Sequence, residues 1–270
     1  MTALNDESAL RAAEEAAREA GAFQMAEFRS RPAGWGDAKD AHDFVSHVDV
    51  QSERLIRCRL EAILPDAAFY GEETEQRVGP GATWVVDPLD GTTNFLSGFD
   101  HFAVSIGLRG PDGAMELGVV LKPATGELFS ARRGCGAARN GVPLPRASAL
   151  DPKAALVATG TPYRSRDTDA AFFGAVTDVM NACRDVRRTG SAALDLAYLA
   201  AGYFQAFWEA DLQPYDVAAG LLLLSETGHQ VFNFQGRPYR LFEDRGFVAG
   251  RPGVVEPVLA AVEKNYGGLR

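Results

Sequence analysis

The stretch WVVDPLDGTTNF, Trp84 to Phe95, decides how this chain is read. It begins as a buried strand and continues as a polar turn. Asp87 and Asp90 stand three residues apart, with Pro88 and Leu89 between them and Gly91-Thr92-Thr93 behind. Pro88 fixes φ and removes a donor, so the chain turns stiffly. A stiff turn can aim both carboxylates and the Leu89 carbonyl at one point. Hard cations such as Mg²⁺ take that set of oxygens, with water filling the rest. Gly91, Thr92 and Thr93 then supply N–H groups and hydroxyls, and a helix starting there would offer its N-terminus to an anion. An Asp-Gly pair alone is an ordinary turn. Metal-type oxygens running into a phosphate-type cradle, directly after a buried strand, form a meaningful order.

Three other places carry acids of the same kind. Glu72 and Glu73 close AFYGEE, Asp216 opens DVAAGLLLL, and DFVSHVD sets Asp43, Ser46 and Asp49 before a helix. Taken singly, each is a solvated strand end or a helix cap. Taken together, each is an acid at the end of a strand or the start of a helix, where side chains can converge on one cleft. Packed close without cations, such carboxylates repel and take up protons. Two divalent ions, about 3.5–4 Å apart, would balance them and catalyse phosphoryl or acyl hydrolysis.

The bulk properties are consistent with this. At 270 residues and 46% hydrophobic, the chain can bury one large core or two intimately packed halves. A net charge of −9 argues against general affinity for nucleic acid or acidic membranes. Cys58, Cys135 and Cys183 are far apart, which implies neither a disulfide framework nor a CxxC zinc site. The N-terminus has no apolar run of signal length, and no stretch approaches the roughly 18 apolar residues of a membrane span. A cytoplasmic setting is expected. No GxxxxGK[ST], HExxH or GxSxG occurs, and GCGAARNG has Arg139 where a dinucleotide fingerprint needs its third glycine.

The pattern predicts helices over about 8–28, 50–64, 167–183, 190–202, 216–228 and 254–266. AFYG, TWVV, FAVSIGL, LGVVLKP, ELFSARR, ALVATG, FQAFWEA, HQVFNF and GFVAG read as strands. RPAGWGDAKD reads as a loop and GCGAARNGVPL as a turn-rich piece. The elements interleave without a regular βαβ series, so the fold class is α/β or α+β, with sheet between helices. The expected division is 1–150, carrying most of the acids, and 151–270, carrying Asp216, within one compact unit.

At these residues the sequence resembles the inositol monophosphatase family, the Mg²⁺-dependent, lithium-sensitive phosphatases related to fructose-1,6-bisphosphatase. WVVDPLDGTTNF looks like the family's first motif and PYDVAAG its second. GEE, DFVSHVD and RRTGSAALDLAYLAAG fall in the family's order. The resemblance covers nearly the whole chain. It implies a layered α-β-α-β-α sandwich, commonly a homodimer, with two or three Mg²⁺ ions. Glu72, Asp87 and the Leu89 carbonyl would hold the first metal, and Asp87, Asp90 and Asp216 the second. A weaker third ion would sit near Glu72, helped through water by Asp49. Thr92, paired with Asp49, would polarise the attacking water, so that Asp49, Glu72 and Thr92 form the catalytic set. Gly91, Thr92 and Thr93 would bind phosphate oxygens. Gly190, Ser191 and Ala192 would line the alcohol side, and Glu209 would bind substrate hydroxyls. Lys39 matches a lysine often found in the loop before Asp43.

Tyr215 stands where the family usually has Trp, a departure shared with some histidinol-phosphate phosphatases of the superfamily. The expected activity is hydrolysis of inositol 1-phosphate or a similar polyol phosphate. The alternatives are histidinol-phosphate phosphatase and 3′-nucleotide or sugar bisphosphatase. A different class is a non-catalytic regulatory protein, since family members can act as partners of transcription machinery. The expected partner is a small phosphate monoester, with no direct nucleic acid and no membrane.

Overall fold

The structure, a computed structural model, describes residues 7–30, 37–40, 43–45, 47–162 and 167–267; for 29–30, 37–40 and 43–45 it describes the backbone alone. In chain order the elements are α1 (Glu7–Ser30), β1 (Asp37–Asp40), β2 (Asp43–Val45), α2 (His47–Ile63), β3 (Ala68–Gly71), β4 (Thr83–Asp90), α3 (Thr92–Leu96), β5 (Ala103–Arg109), β6 (Met115–Lys122), β7 (Glu127–Arg132), β8 (Gly136–Arg139), β9 (Val142–Pro143), β10 (Leu156–Thr159), α4 (Asp169–Ala182), β11 (Asp185–Arg188), α5 (Ala192–Ala200), β12 (Ala206–Glu209), α6 (Pro214–Thr227), β13 (Gln230–Phe232), β14 (Phe247–Gly250) and α7 (Val255–Tyr266).

A seven-stranded sheet runs β3-β4-β5-β6-β7-β8-β9, and a five-stranded sheet runs β11-β10-β12-β14-β13. The first is antiparallel except for β3 beside β4. Strand alternation sorts the side chains into layers. On β4, Trp84 and Val86 face outward to α1 and α2, where Ala13, Ala16, Ala17, Ile56 and Leu60 are buried. Val85 faces inward to α5 and α6. On β12, Phe207 faces that same middle layer, whereas Ala206 and Trp208 face α4 and α7. The resulting order is helix, sheet, helix, sheet, helix, as the resemblance implied. No helix among the described residues is long and apolar enough to cross a membrane.

Several expectations are corrected. Helix α2 starts at His47, so Asp49 lies in its first turn rather than before it. The segment GCGAARNGVPL forms β8 and β9 instead of a plain turn. Asn140 and Gly141, at φ 50° and 78°, make the tight turn between them. An Asn-Gly pair is itself a hairpin signal. Residues 37–40 pair with 43–45 as a small hairpin where a loop was expected. Ser46 lies outside the described residues, as do the side chains of Lys39 and Asp43. Strand β11, DVRR, carries no apolar alternation and exists as an edge strand through its pairing with β10.

Helix α6 lies directly on the seven-stranded sheet. Gly107 and Gly118 are partners across β5 and β6, and Ala218 and Ala219 of α6 pack over them. A Cβ on Gly118 would stand 2.7 Å from the Ala219 carbonyl oxygen. Relieving glycine's entropy in a strand is worth about 0.5–1 kcal/mol. Overpacking against backbone costs about 1–3 kcal/mol. Gly118→Ala is therefore expected to lower stability by about 1–2 kcal/mol, read as a lower midpoint of urea unfolding.

Candidate functional site

The two aspartates of DPLD reach one face through a fault in the ladder. Asp87 pairs with Ser105 and Asp90 with Ala103, so β4 spends one residue more than β5 over that span. On a straight strand, residues three apart point to opposite faces. The extra residue of the bulge returns Asp90 to the face of Asp87. Pro88 sits within the bulge, where a missing N–H interrupts no regular pairing. The turn expected at Pro88 is thus a bulged strand end. Leu89 anchors it: its side chain is buried among Val48, Phe95, Leu96 and Phe102.

Asp216 comes from the other half of the chain. It is the third residue of α6, after the Gln213 cap and Pro214. Its Oδ2 accepts the Gln213 N–H at 2.6 Å, closing a capping box. The capping role coexists with a second placement. One oxygen each from Asp87, Asp90 and Asp216 lie within 4.8 Å of one another, the group of this kind found among the described residues. Glu72 lines the same cleft without joining that set.

The cleft encloses about 290 Å³. Besides Asp87, Asp90, Asp216 and Glu72, its walls include Leu89, Gly91, Thr92 and Thr93, from the end of β4 and the start of α3, and Gly190, Ser191, Ala192 and Glu209, from the start of α5 and the end of β12. Asp49 stands behind this wall, its Oδ1 2.9 Å from Thr92 Oγ1, which is also 3.1 Å from the Leu89 carbonyl oxygen. Ser191 caps α5 and donates its hydroxyl to Asp90, which also accepts the Ala193 N–H at 2.8 Å. Ser191 thus lines the cleft with its hydroxyl directed to Asp90.

Glu209 ends β12 and is buried beside Gly160, where any Cβ would collide with its carboxylate. The sequence reading passed over Gly160, Asn94, Arg188 and Asp195, which also line the cleft. Asn94 Nδ2 donates to the carbonyls of His101 and Thr189, at 2.7 and 3.0 Å, which ties the first motif to the loop before α5. Asp195 is buried and accepts from Thr189 Oγ1 at 2.7 Å. An acid inside the otherwise apolar helix AALDLAYLA was the available signal. Tyr215, singled out for substrate choice, is buried with its ring 6.4 Å from that of Tyr70, and it does not line the cleft.

The electrostatics follow from this packing. Burial pushes Asp87 well above the ordinary carboxylate range, and Glu72, Asp90 and Asp216 add to it. Burial raises Asp90 to about 6, against its bonds from Ser191, Ala193 and Ala192. Burial likewise raises Glu209, with Asp216, Asp195 and Asp90 adding and Arg188 opposing. What acts on Asp87 is burial and three more carboxylates. A divalent cation is the charge that lets such a group stay ionised, and an all-oxygen donor set fits Mg²⁺.

The chain is similar to known proteins over nearly its whole length. The family model described as the inositol monophosphatase family matches residues 5–266. A protein named Nus factor SuhB from Escherichia coli (strain K12) is 40% identical over 247 residues, which is 91% of this chain and 92% of that protein. An inositol-1-monophosphatase from Rhizobium meliloti (strain 1021) is 45% identical over 192 residues, 70% of this chain and 72% of that protein. The crystal structure of extragenic suppressor protein suhB from Bartonella henselae matches with a TM-score of 0.89 at 33% identity, covering 96% of this chain and 99% of that one.

Asp90 yields a pH prediction. Its rise from 3.8 to about 6 means that, without metal, the native state keeps a proton that the unfolded chain releases between those values. Its contribution to stability therefore falls as pH rises through that window. Asp90→Asn removes the effect. In EDTA the variant should gain on wild type by up to about 3 kcal/mol from pH 4 to 6, measured by urea unfolding. Saturating Mg²⁺ should shrink that gain.

Proposed function

The chain belongs to the inositol monophosphatase family, and on that premise we propose that it is a Mg²⁺-dependent phosphomonoesterase. Its substrate in this reading is inositol 1-phosphate or a similar small polyol phosphate, cleaved to the alcohol and inorganic phosphate. The observation that carries the proposal is the set of Asp87, Asp90 and Asp216, two of them buried, in the cleft that Thr92 also lines with its hydroxyl bonded to Asp49.

Glu72, Asp87 and the Leu89 carbonyl would hold a first ion and Asp87, Asp90 and Asp216 a second, with a weaker third near Glu72, helped through water by Asp49. When bound, Mg²⁺ makes a water easier to deprotonate and takes up charge on the departing alcohol oxygen. The chain's own groups do the rest. Thr92 has one hydroxyl proton, and giving it to Asp49 leaves the oxygen's lone pair facing the cleft to receive a proton from the attacking water. Backbone N–H groups and hydroxyls at Gly91, Thr92 and Thr93 hold phosphate oxygens in line with that attack. Glu209 accepts hydrogen bonds from substrate hydroxyls, with Gly190, Ser191 and Ala192 beside it. The homodimer belongs to the same reading and rests on the family resemblance, and the cytoplasmic setting rests on the sparse cysteines and the lack of long apolar runs.

A panel of inositol 1-phosphate, histidinol phosphate, 3′-phosphoadenosine 5′-phosphate and fructose 1,6-bisphosphate, assayed with Mg²⁺, tests the reading. The highest kcat/KM is expected on the inositol ester, and no phosphate release from any of them would refute it. Glu209→Gln should cost about tenfold in kcat/KM on inositol 1-phosphate and spare p-nitrophenyl phosphate, which has no polyol. Millimolar Li⁺ should inhibit by competing at the ion held by Asp216.

A second reading is favoured by the name of the Nus factor relative. It is a regulatory binding role that needs no turnover. Asp90→Asn separates the two: turnover should fall by about a thousandfold or more, whereas a binding role keeps its cellular function.

A further inference from the structure

We propose that Glu53 of α2 is a positioning residue that sets where Glu72 stands relative to Asp87, Asp90 and Asp216. The proposal rests on the metal reading above. Glu53 is fully buried and none of the mechanism's steps uses it. Its carboxylate reaches across to the segment that carries Glu72. Oε2 accepts the Glu73 N–H at 2.8 Å, and Oε1 accepts the Thr74 hydroxyl. The approach is built in, because Gly71 provides the space: a Cβ there would collide with the Glu53 carboxylate. Glu72 is therefore flanked on both sides by residues in contact with one buried acid.

The same face of α2 reaches the rest of the cleft. Asp49, one turn earlier, holds Thr92. Ser52 accepts from Gln24 of α1 at 3.1 Å, and the same Gln24 Nε2 lies 2.6 Å from the Pro88 carbonyl oxygen, inside the bulge. Asp49, Ser52 and Glu53 fall at the i, i+3 and i+4 spacing that puts side chains on one helical face. One rigid helix thus references the Glu72 segment, the Asp87–Asp90 bulge and the Thr92 loop to each other. Glu72 stands outside the set of three aspartates, so its distance from them depends on this reference. Groups that orient metal ligands typically control metal affinity by 10–100-fold.

The test is Mg²⁺ titration by calorimetry without substrate, with thermal unfolding in EDTA alongside. Glu53→Gln, which keeps the shape and loses one acceptor, should weaken Mg²⁺ binding by about 10–100-fold. Thr74→Val changes only an exposed residue and should weaken it in the same direction by about threefold. Ile56→Val, on the same helix but in the core, should lower Tm and leave Mg²⁺ affinity unchanged. Unchanged affinity in folded Glu53→Gln overturns the proposal; if that variant does not fold, unchanged affinity in Thr74→Val overturns it. Wild-type protein that takes up no Mg²⁺ overturns the metal reading and the positioning with it. Wild type that binds while both variants bind equally well overturns the positioning alone.

Discussion

One extra residue in β4 is the constraint on which the site depends. Without it, Asp87 and Asp90 would face opposite layers, one toward α6 and one toward α1 and α2. With it, both face the middle layer, where Asp216 arrives at the start of α6. Pro88 suits the bulge because no regular ladder bond is expected of it. Three carboxylates then share a buried space, and each raises the cost of ionising its neighbours. Such a group is relieved either by taking up protons or by a positive charge, so the bulge sets the conditions under which a cation would be favoured.

The acids that matter were legible because they sit where elements begin and end, in stretches whose chemistry differs from their surroundings. Asp87, Asp90 and Asp216 all follow or precede apolar runs, and the order of donors after Asp90 is local. What was not legible is long-range. Gln24 meets Pro88 across 64 residues and Asp90 meets Ser191 across 101. Glu53 reads in the sequence as one more surface acid of a charged helix, and only the packing of α2 against β3 reveals it as buried. Strand β11 has no apolar pattern at all and depends on its neighbour to exist. Where Tyr215 sits was not legible either: strand and helix packing put its ring in the core, behind the residues that line the cleft.

The two sides of the cleft are built differently. Gly91, Thr92 and Thr93 lie at one end of a seven-stranded sheet and present mainly backbone and hydroxyl groups. The rest of the lining comes from β12, the loop before α5 and Gly160, and presents a buried carboxylate whose room depends on a single missing side chain. In the proposed phosphatase reading, the first kind of wall would suit the phosphate that every substrate shares, and the second the alcohol that differs between them.

The seat of α6 on Gly107 and Gly118 has a consequence for where Asp216 stands. A helix held at a distance by interlocking side chains shifts whenever those side chains change size. A helix resting on bare backbone has its height fixed by atoms common to every amino acid. Asp216 therefore takes its height from that seat, whereas Leu222, Leu223 and their neighbours fill the middle layer around it. The height of Asp216 above the sheet is thus set where α6 meets the two glycines, and not by the longer side chains elsewhere on the helix.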